Sequence, residues 1–249
     1  MKRFRVLSYN IHKGFSARNR AFVLREIREA IRSVAPDFLF LQEVLGEHRG
    51  HERRVRGWPW VAQFEFLAEA LWPHFAYGRN AVYDEGHHGN AILSKHPILS
   101  YENEDVSTTK LERRGILHAV VRPFESRPEL HLMCAHFGLL ERDRQYQARR
   151  LCDRVRRTVE LGQGLVVAGD FNDWTLRLSR LFKHQVGLDE AYQTRHHRHA
   201  RTFPARMPVL RLDRIYFHGL EPRLAKCLHR GPWAALSDHA ALLADFEWR

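Results

Sequence analysis

Cysteine is scarce in this chain: three residues, Cys134, Cys152 and Cys227, stand among 249 and share no paired spacing. An odd number of scattered cysteines argues against a disulfide framework and indicates a reducing compartment. The sequence also lacks the roughly 20 consecutive apolar residues that a membrane span requires. Its basic first residues run into a strand pattern without the apolar core of a signal peptide. We therefore expect a cytoplasmic protein with no transmembrane segment.

Linkers, low-complexity blocks and tandem repeats are also missing from the sequence. The hydrophobic content of 44% and the charged content of 28% are those of an ordinary globular protein. A length of 249 residues fits one large α/β domain or two small ones. Because no boundary divides it, the chain is predicted to form a single domain over residues 1–249, and its oligomeric state is left open.

Acidic residues are outnumbered: 29 Asp and Glu face 40 Lys and Arg, which gives a net charge of +11. This excess favours a polyanionic partner, whether nucleic acid, an acidic membrane surface or a phosphorylated substrate. A basic composition that serves only solubility is the alternative. Two arginine-rich segments could contact phosphates or could simply be solvated. One is the outer face of a predicted helix, with Arg149 and Arg150, and the other is residues 195–201.

Apolar runs and periodicities predict alternating strands and helices. Strands are predicted at 4–10, 38–41, 90–93, 116–121, 130–135, 165–168, 210–217 and 240–246. Helices are predicted at 20–34, 64–72 and 142–161, a charged loop at 46–60 and an irregular stretch at 77–89. The two halves of the chain resemble each other, which suits two similar mixed sheets packed face to face.

Polar residues close several of the predicted strands. Asn10 follows one strand, Glu43 another, and an Asp-Phe-Asn turn at 170–172 a third, while a Ser-Asp-His run lies at 237–239. A buried strand that ends in a carboxylate or carboxamide places that group at a sheet edge. Several such groups are hard to explain by packing, and together they indicate a metal-assisted hydrolytic site.

Three of these groups suit separate tasks in such a reaction. Glu43 is the best candidate ligand for a hard divalent cation such as Mg²⁺ or Mn²⁺. Asp170 can orient and deprotonate an attacking water, and Asn172 can hold that water or a phosphate oxygen. The alternatives are a solvated glutamate and an ordinary turn, which favours the same residue types.

Two imidazoles are candidates for contact with phosphate. His239 can carry positive charge if a carboxylate raises its pKa, and Asp213 is the candidate partner. His136 places a second imidazole at a strand end, and Asp238 could be a second carboxylate on the metal side. Because the chain has 17 histidines, an ordinary surface histidine is the alternative at each position.

The adjacent Arg113 and Arg114 precede a predicted strand and could form a guanidinium fork for phosphate. A zinc site is not favoured. The histidines at 196, 197 and 199 lack the helical spacing and the carboxylate of a zinc protease motif.

Seven short motifs resemble those of the endonuclease/exonuclease/phosphatase superfamily, the group of DNase I, exonuclease III, neutral sphingomyelinases and inositol-polyphosphate 5-phosphatases. They span nearly the whole chain in the family's order, which is far more specific than any single motif. The motifs are Leu7-Ser8-Tyr9-Asn10-Ile11, Leu41-Gln42-Glu43, Gly89-Asn90-Ala91-Ile92-Leu93-Ser94, Ala135-His136-Phe137-Gly138-Leu139, Gly169-Asp170-Phe171-Asn172, Leu212-Asp213-Arg214-Ile215 and Ser237-Asp238-His239. The likeness is closest to a subgroup of short bacterial intracellular members.

The resemblance implies a DNase I-like fold, a four-layer α/β/β/α sandwich of two packed mixed sheets. Combined with the residue chemistry above, it gives a set of expected site residues. These are Asn10, Glu43 and Asp238 at the metal, Asp170, Asn172, Asp213, His136 and His239 in catalysis, and Asn90, Arg113 and Arg114 at the substrate. One position departs from the exonuclease III pattern, because His12 stands where an acid is often found.

We therefore expect a phosphohydrolase that depends on Mg²⁺ or Mn²⁺ and cleaves phosphodiesters, with nucleic acid favoured by the net charge. A phospholipid or sphingomyelin-type phosphodiesterase is the rival, and the Trp-Pro-Trp-Val run at 58–61 is its candidate apolar loop. A non-catalytic module that binds phosphate or nucleic acid is a third possibility. The expected site residues should converge on one cleft, with Asp213 within hydrogen-bond reach of His239.

Overall fold

The computed structural model describes residues 2–69 and 71–248, which form twelve strands and seven α-helices. The strands are β1 (Arg3–Asn10), β2 (Phe38–His48), β3 (His74–Tyr83), β4 (Gly86–Ser94), β5 (Ile98–Asp105), β6 (Gly115–Val121), β7 (Leu130–His136), β8 (Gly164–Asp170), β9 (Asp189–Glu190), β10 (Asp213–His218), β11 (Leu220–Leu228) and β12 (Ala241–Trp248). The helices are α1 (Leu24–Val34), α2 (Arg49–Arg54), α3 (Gln63–Ala68), α4 (Glu141–Thr158), α5 (Arg177–Val186), α6 (Ala191–His196) and α7 (Trp233–Leu236).

The strands form two six-stranded sheets with the orders β11-β12-β1-β2-β4-β3 and β5-β6-β7-β8-β10-β9. Each sheet contains a parallel pair near its middle, β1 with β2 and β7 with β8, and its other pairings are antiparallel. The register pairs Asn10 with Gln42 in one sheet and His136 with Asp170 in the other. Both parallel pairs therefore end in polar side chains.

The sheets pack face to face, and alternation along the strands explains how both of their faces are buried. In β2, Phe38 and Phe40 enter the core between the sheets, whereas Leu39 and Leu41 enter a second cluster shared with α1. A third cluster lies between the other sheet and α4 and α5. The predicted four-layer sandwich is confirmed. No helix of the described residues combines the length and apolar character that a membrane crossing requires.

Several local predictions were wrong. β2 continues through a bulge to His48 and is followed by α2, where a loop over 46–60 was expected. The stretch 77–89, expected to be irregular, forms most of the β3–β4 hairpin. The helix expected from residue 20 begins at Leu24. The prediction also missed β5, α5, α6 and β11. Helix α5 does carry apolar residues at helical spacing, Leu178, Leu181, Phe182 and Val186, so its pattern could have been found.

Ion pairs explain how the arginine-rich helix α4 lies on the polar strand β5. The Nε–H of Arg150 donates to Glu104 Oε1 at 2.9 Å, and Arg154 donates to Glu104 at 2.9 Å and to Glu102 at 2.7 Å. Arg154 is almost fully buried, so it would be strongly destabilising without these carboxylates. Much of the charge on this helix is therefore used within the fold.

The core between the sheets should dominate stability. Truncation of the fully buried Phe40 to alanine removes a ring from between the two sheets, and we expect Phe40→Ala to lower the free energy of unfolding by about 3–5 kcal/mol. Urea denaturation measures this change. Tyr101→Ala on β5 is the control, because its ring is exposed and its loss should change stability by only about 0.5 kcal/mol. Equal losses in both variants would contradict this account of the core.

Candidate active site

The polar ends of the two parallel strand pairs meet at one cleft of about 420 Å³. Its lining includes six of the side chains singled out by sequence, which are Glu43, Arg114, His136, Asp170, Asn172 and His239. Asn10 is buried behind them and hydrogen-bonds two of their carboxylates. The structure thus brings these side chains together, as expected from their positions at strand ends.

Glu43 reaches the cleft because β2 is irregular at this point. The residue has a φ of 54°, and the pairing with β4 shifts register between Leu41 and Val44. A left-handed backbone is unfavourable for a residue with a side chain, and such strain often occurs at functional positions. The bulge turns the carboxylate away from the regular strand alternation and towards the neighbouring sheet's polar end.

Asn10 lies between two carboxylates. Its Nδ2 donates to Glu43 Oε1 at 3.1 Å and to Asp170 Oδ2 at 3.2 Å. Among the described residues, no basic side chain forms an ion pair with Glu43. One neutral amide therefore separates two acids in the same cleft, and this oxygen-rich arrangement fits a hard divalent cation.

Asp170 is buried at the end of β8, and its two oxygens have different surroundings. Oδ1 accepts the backbone N–H of Asn172 at 3.0 Å, whereas Oδ2 lies 3.5 Å from His136 Nε2 and 3.7 Å from His239 Nε2. Burial raises the pKa of Asp170 to about 6, against the opposing positive charge of His239. A carboxylate with such a pKa is a suitable general base near neutral pH.

His239 forms a buried pair with Asp213. The Nδ1–H of His239 donates to Asp213 Oδ2 at 2.9 Å. Burial alone would lower the pKa of the imidazole, but the charges of Asp213 and Asp170 outweigh burial and raise it to about 10. His239 is therefore an imidazolium at neutral pH and leaves Nε2–H to face the cleft.

The other two imidazoles of the cleft, those of His136 and His88, are neutral. Burial lowers the pKa of His136 well below its usual value, and the positive charge of Arg114 acts in the same direction. His88, also in the lining, has its pKa lowered by burial to about 4. We expected both His136 and His239 to neutralise phosphate charge. Of these two histidines only His239 carries a positive charge in the structure, and His136 can act as a neutral hydrogen-bonding group.

Asp170, Asp213 and His239 bring potential ligand atoms within 4.8 Å of one another. A protonated imidazole has no lone pair for a cation, and its Nδ1 is already hydrogen-bonded to Asp213. This trio is therefore better described as a charge-compensated cluster than as a metal centre. The carboxylate that remains for a cation is that of Glu43, beside Asn10 and Asp170.

A family model for the endonuclease/exonuclease/phosphatase family matches residues 7–239 of this sequence. The chain belongs to this family. The sequence is 48% identical over 242 residues to the Escherichia coli "Uncharacterized protein YbhP", which covers 97% of this chain and 95% of that one. The family resemblance inferred from the seven motifs is confirmed.

Solved structures of family members share the fold. The endonuclease/exonuclease/phosphatase from Bacteroides vulgatus has a TM-score of 0.76 and 20% identity, with full coverage of both chains. The human Nocturnin catalytic domain with bound sulfate has a TM-score of 0.75 and 21% identity, covering 99% of this chain and 95% of that one. D. rerio TDP2 complexed with a single-strand DNA product has a TM-score of 0.70 and 20% identity, covering 99% and 100%.

His12, which stands where the exonuclease III pattern often has an acid, pairs with Asp238. The Nδ1 of His12 lies 3.0 Å from Asp238 Oδ2. Burial alone would raise the pKa of Asp238, but the hydrogen bond with His12 and the charge of His239 lower it. Asp238 is not among the residues that line the cleft, so its proposed metal role stays a prediction.

The three expected substrate residues lie in different places. Arg114 lines the cleft and donates through Nη2 to Glu112 at 2.7 Å. Arg113 is outside the lining, with its guanidinium 3.7 Å from Asp105, so the two do not form a fork. Asn90 is buried, and its Nδ2 donates to the Gly115 carbonyl at 3.0 Å, which ties one sheet to the other beneath the cleft.

Several cleft residues were not predicted from the sequence, among them Lys13, Trp174, Phe203 and Leu210. Lys13 has a φ of 57°, in the tight turn that follows β1, and only its place three residues after Asn10 could have suggested it. The others are apolar and lie in loops. Apolar loop residues give no signal in sequence, because their approach to the cleft depends on tertiary structure.

The pairing of His239 with Asp213 gives a direct test in the metal-free protein. In Asp213→Asn the imidazolium loses a neighbouring charge, so we expect the pKa of His239 to fall from about 10. NMR of the ring nitrogens during a pH titration measures this. Asp189→Asn, which removes an exposed carboxylate paired with Lys183, is the control. An unchanged His239 titration in Asp213→Asn would show that Asp213 does not hold the proton on the ring.

Proposed function

We propose that this family member is a divalent-metal-dependent phosphodiesterase. The observation that carries the proposal is the pair of carboxylates, Glu43 and Asp170, joined by one amide beside the imidazolium of His239. In the proposed reaction, Asp170 accepts a proton from the attacking water, which approaches the phosphorus in line with the leaving group. His239 stabilises the negative charge that develops on the phosphoryl oxygens.

Mg²⁺ or Mn²⁺ held by Glu43, with Asn10 beside it, would supply Lewis-acid stabilisation of phosphate oxygens. Asn172 has a supporting position. Its Nδ2 donates to the Phe137 carbonyl at 2.9 Å, which fixes the loop and leaves the amide oxygen to orient the water. The neutral His136 can donate or accept a hydrogen bond at a phosphate oxygen.

Nucleic acid is the substrate that we favour, since the net charge of +11 suits a polyanion. The TDP2 structure shows that a related fold accommodates single-strand DNA. A panel of single- and double-stranded DNA, abasic DNA, RNA, sphingomyelin, phosphatidylglycerol and inositol phosphates, with added Mg²⁺ or Mn²⁺, tests this choice. The absence of turnover on the whole panel would favour the non-catalytic alternative. The expected cytoplasmic location stays a prediction.

Two matched variants test the mechanism with bis(4-nitrophenyl) phosphate. We expect Glu43→Gln to raise the metal concentration needed for half-maximal activity, because the cation loses its carboxylate. We expect Asp170→Asn to lower kcat by about 10²–10⁴ while substrate binding is retained, since an amide cannot accept the water's proton. Glu85→Gln and Asp189→Asn, outside the cleft lining, are the controls. Wild-type kinetics in both site variants would overturn the assignments.

A lipid phosphodiester is the second candidate, and a rim of exposed apolar side chains favours it. Leu139, Trp174 and Leu210 line the cleft and remain partly exposed, and Leu140 and Met207 are exposed in the same loops. The two tryptophans of the run at 58–61 differ in exposure, since Trp58 stacks on Phe22 whereas Trp60 is fully exposed. Neither tryptophan is in the cleft lining. An apolar rim beside basic residues is typical of interfacial enzymes.

The lipid candidate predicts that the rim enters a bilayer. We expect the double variant Leu140→Ser/Met207→Ser to weaken sedimentation with phosphatidylglycerol vesicles and to leave bis(4-nitrophenyl) phosphate hydrolysis unchanged, since neither residue lines the cleft. Leu161→Ser, which removes a fully exposed leucine elsewhere, is the control. Equal vesicle binding by all three proteins would argue against a lipid substrate.

A further inference from the structure

A second and larger cavity, of about 770 Å³, lies beside the catalytic cleft. Two basic segments line it. One is the face of α5 that carries Arg177, Arg180 and Lys183, and the other is the loop with Arg198, which follows α6. Arg211 also lines the cavity. The cavity is large enough for part of a polymeric ligand, and its basic lining favours a negatively charged one.

The cavity and the cleft share two stretches of chain as a common wall. In the first stretch, Trp174 lines the cleft whereas Thr175 lines the basic cavity. In the second, Leu210 and Leu212 line the cleft whereas Arg211, between them, lines the cavity. Neighbouring residues of each stretch therefore line different cavities, and the wall is one chain thick here. A ligand bound at Asp170 and His239 therefore has the basic cavity as its neighbour.

Three of the four arginines that line this cavity lack a carboxylate partner among the described residues, and the exception is Arg177, whose Nη1 lies 3.6 Å from Glu141 Oε1. Its two acids are occupied, since Asp189 pairs with Lys183 at 2.7 Å and Glu190 with His199 at 3.2 Å. Within residues 2–69 and 71–248, no carboxylate lies within ion-pair distance of Arg180, Arg198 or Arg211.

Arg150 and Arg154 of α4 are different. They lie on Glu104 and Glu102 and are used within the fold. Arg180, Arg198 and Arg211, by contrast, carry positive charge that is open to a ligand beside the cleft. Unpaired guanidiniums that converge on one cavity are an arrangement suited to phosphate oxygens.

We infer that the basic cavity is a second phosphate subsite, which binds a phosphate of a nucleic-acid strand next to the scissile one. Arg198 and Arg211 are its main ligands, because they approach it from different loops. The inference rests on the proposed phosphodiesterase function, because that function makes the cleft the site of the scissile phosphate. It adds the requirement that good substrates carry at least two phosphates.

Trp174 offers a contact for the nucleic-acid strand between the cleft and the basic cavity. The residue is 44% exposed at the shared wall, and the guanidinium of Arg144 lies 4.2 Å from the ring centroid. A cation held against an aromatic ring fixes the ring in place. Stacking of a nucleobase on an exposed aromatic ring is a common feature of single-strand binding. The nucleobase between the two phosphates is the one that would stack on Trp174.

Short oligonucleotides give the sharpest test. The dinucleotide TpT has one phosphate, and pTpT and TpTp add a second phosphate at either end. We expect the wild-type protein with Mg²⁺ to show a KM for pTpT or TpTp about tenfold or more below that for TpT, because hydrogen bonds to charged groups are the strong ones. In Arg198→Ala/Arg211→Ala this advantage should disappear. Hydrolysis of bis(4-nitrophenyl) phosphate should be unchanged.

The control carries the same loss of charge elsewhere. Arg149→Ala/Arg157→Ala removes two arginines from α4, outside the cavity lining, and should keep the preference for the second phosphate. Arg198→Lys/Arg211→Lys should retain part of it. Thermal unfolding of each variant shows whether it is folded. Equal loss in the α4 control would overturn the subsite, because net charge alone would then explain the effect.

A binding assay separates failure of this inference from failure of the proposed function. Fluorescence anisotropy with a labelled single-stranded oligonucleotide in the Asp170→Asn background needs no turnover. The slope of log affinity against log salt should become shallower by about 0.7 for each phosphate that Arg198→Ala/Arg211→Ala no longer neutralises. An unchanged slope, with normal turnover of the nitrophenyl ester by the native protein, would overturn the subsite alone. Loss of binding only to phosphatidylglycerol vesicles would overturn it in favour of a lipid ligand.

Discussion

Two buried carboxylates, Asp170 and Asp213, lie on either side of one imidazole, His239, and the site depends on their mutual compensation. Both acids are 2% exposed. Two negative charges in such a place would strongly disfavour each other's ionisation. The proton on His239 offsets them, and in return they hold that proton to a pKa of about 10. The fold must therefore place three strand ends, those of β8, β10 and β12, at one point.

The sheet topology satisfies this requirement. Antiparallel pairing sets Asp213 of β10 opposite Asp170 of β8, and parallel pairing sets His136 of β7 beside it. His239 arrives from the other sheet, immediately before β12. Ser237 fixes its approach, because the serine hydroxyl donates to the Asn10 carbonyl at 2.7 Å and accepts the backbone N–H of His239 at 3.2 Å. Each sheet thus supplies one part of the charge cluster, and packing of the two sheets completes it.

The layers of this fold and most of its site could be predicted from the sequence, because local strand patterns coincide with seven motifs in the family's order, and the resemblance implied the four-layer sandwich. A run such as residues 38–41 shows burial on two faces, and a polar residue at its end shows a sheet edge. The bulge at Glu43 gave no such signal, and neither did the pairing of His12 with Asp238. Both depend on which residues of another segment lie opposite, and a single sequence does not specify that.

The arginine-rich segments show more clearly that a single sequence does not specify which residues lie opposite one another. The sequence contains two arginine-rich segments of similar appearance, on α4 and at 195–201, and nothing local distinguishes them. Only the strand pairing reveals that Glu102 and Glu104 of β5 lie beneath the first. The second faces a cavity whose own acids are already paired. Net charge is therefore a poor guide to ligand binding, because a guanidinium that stabilises the fold contributes to the total as much as one that is open to a phosphate. The position of the unpaired arginines, beside a cleft that holds an imidazolium and two carboxylates, is what connects the composition of this chain to a phosphate-rich substrate.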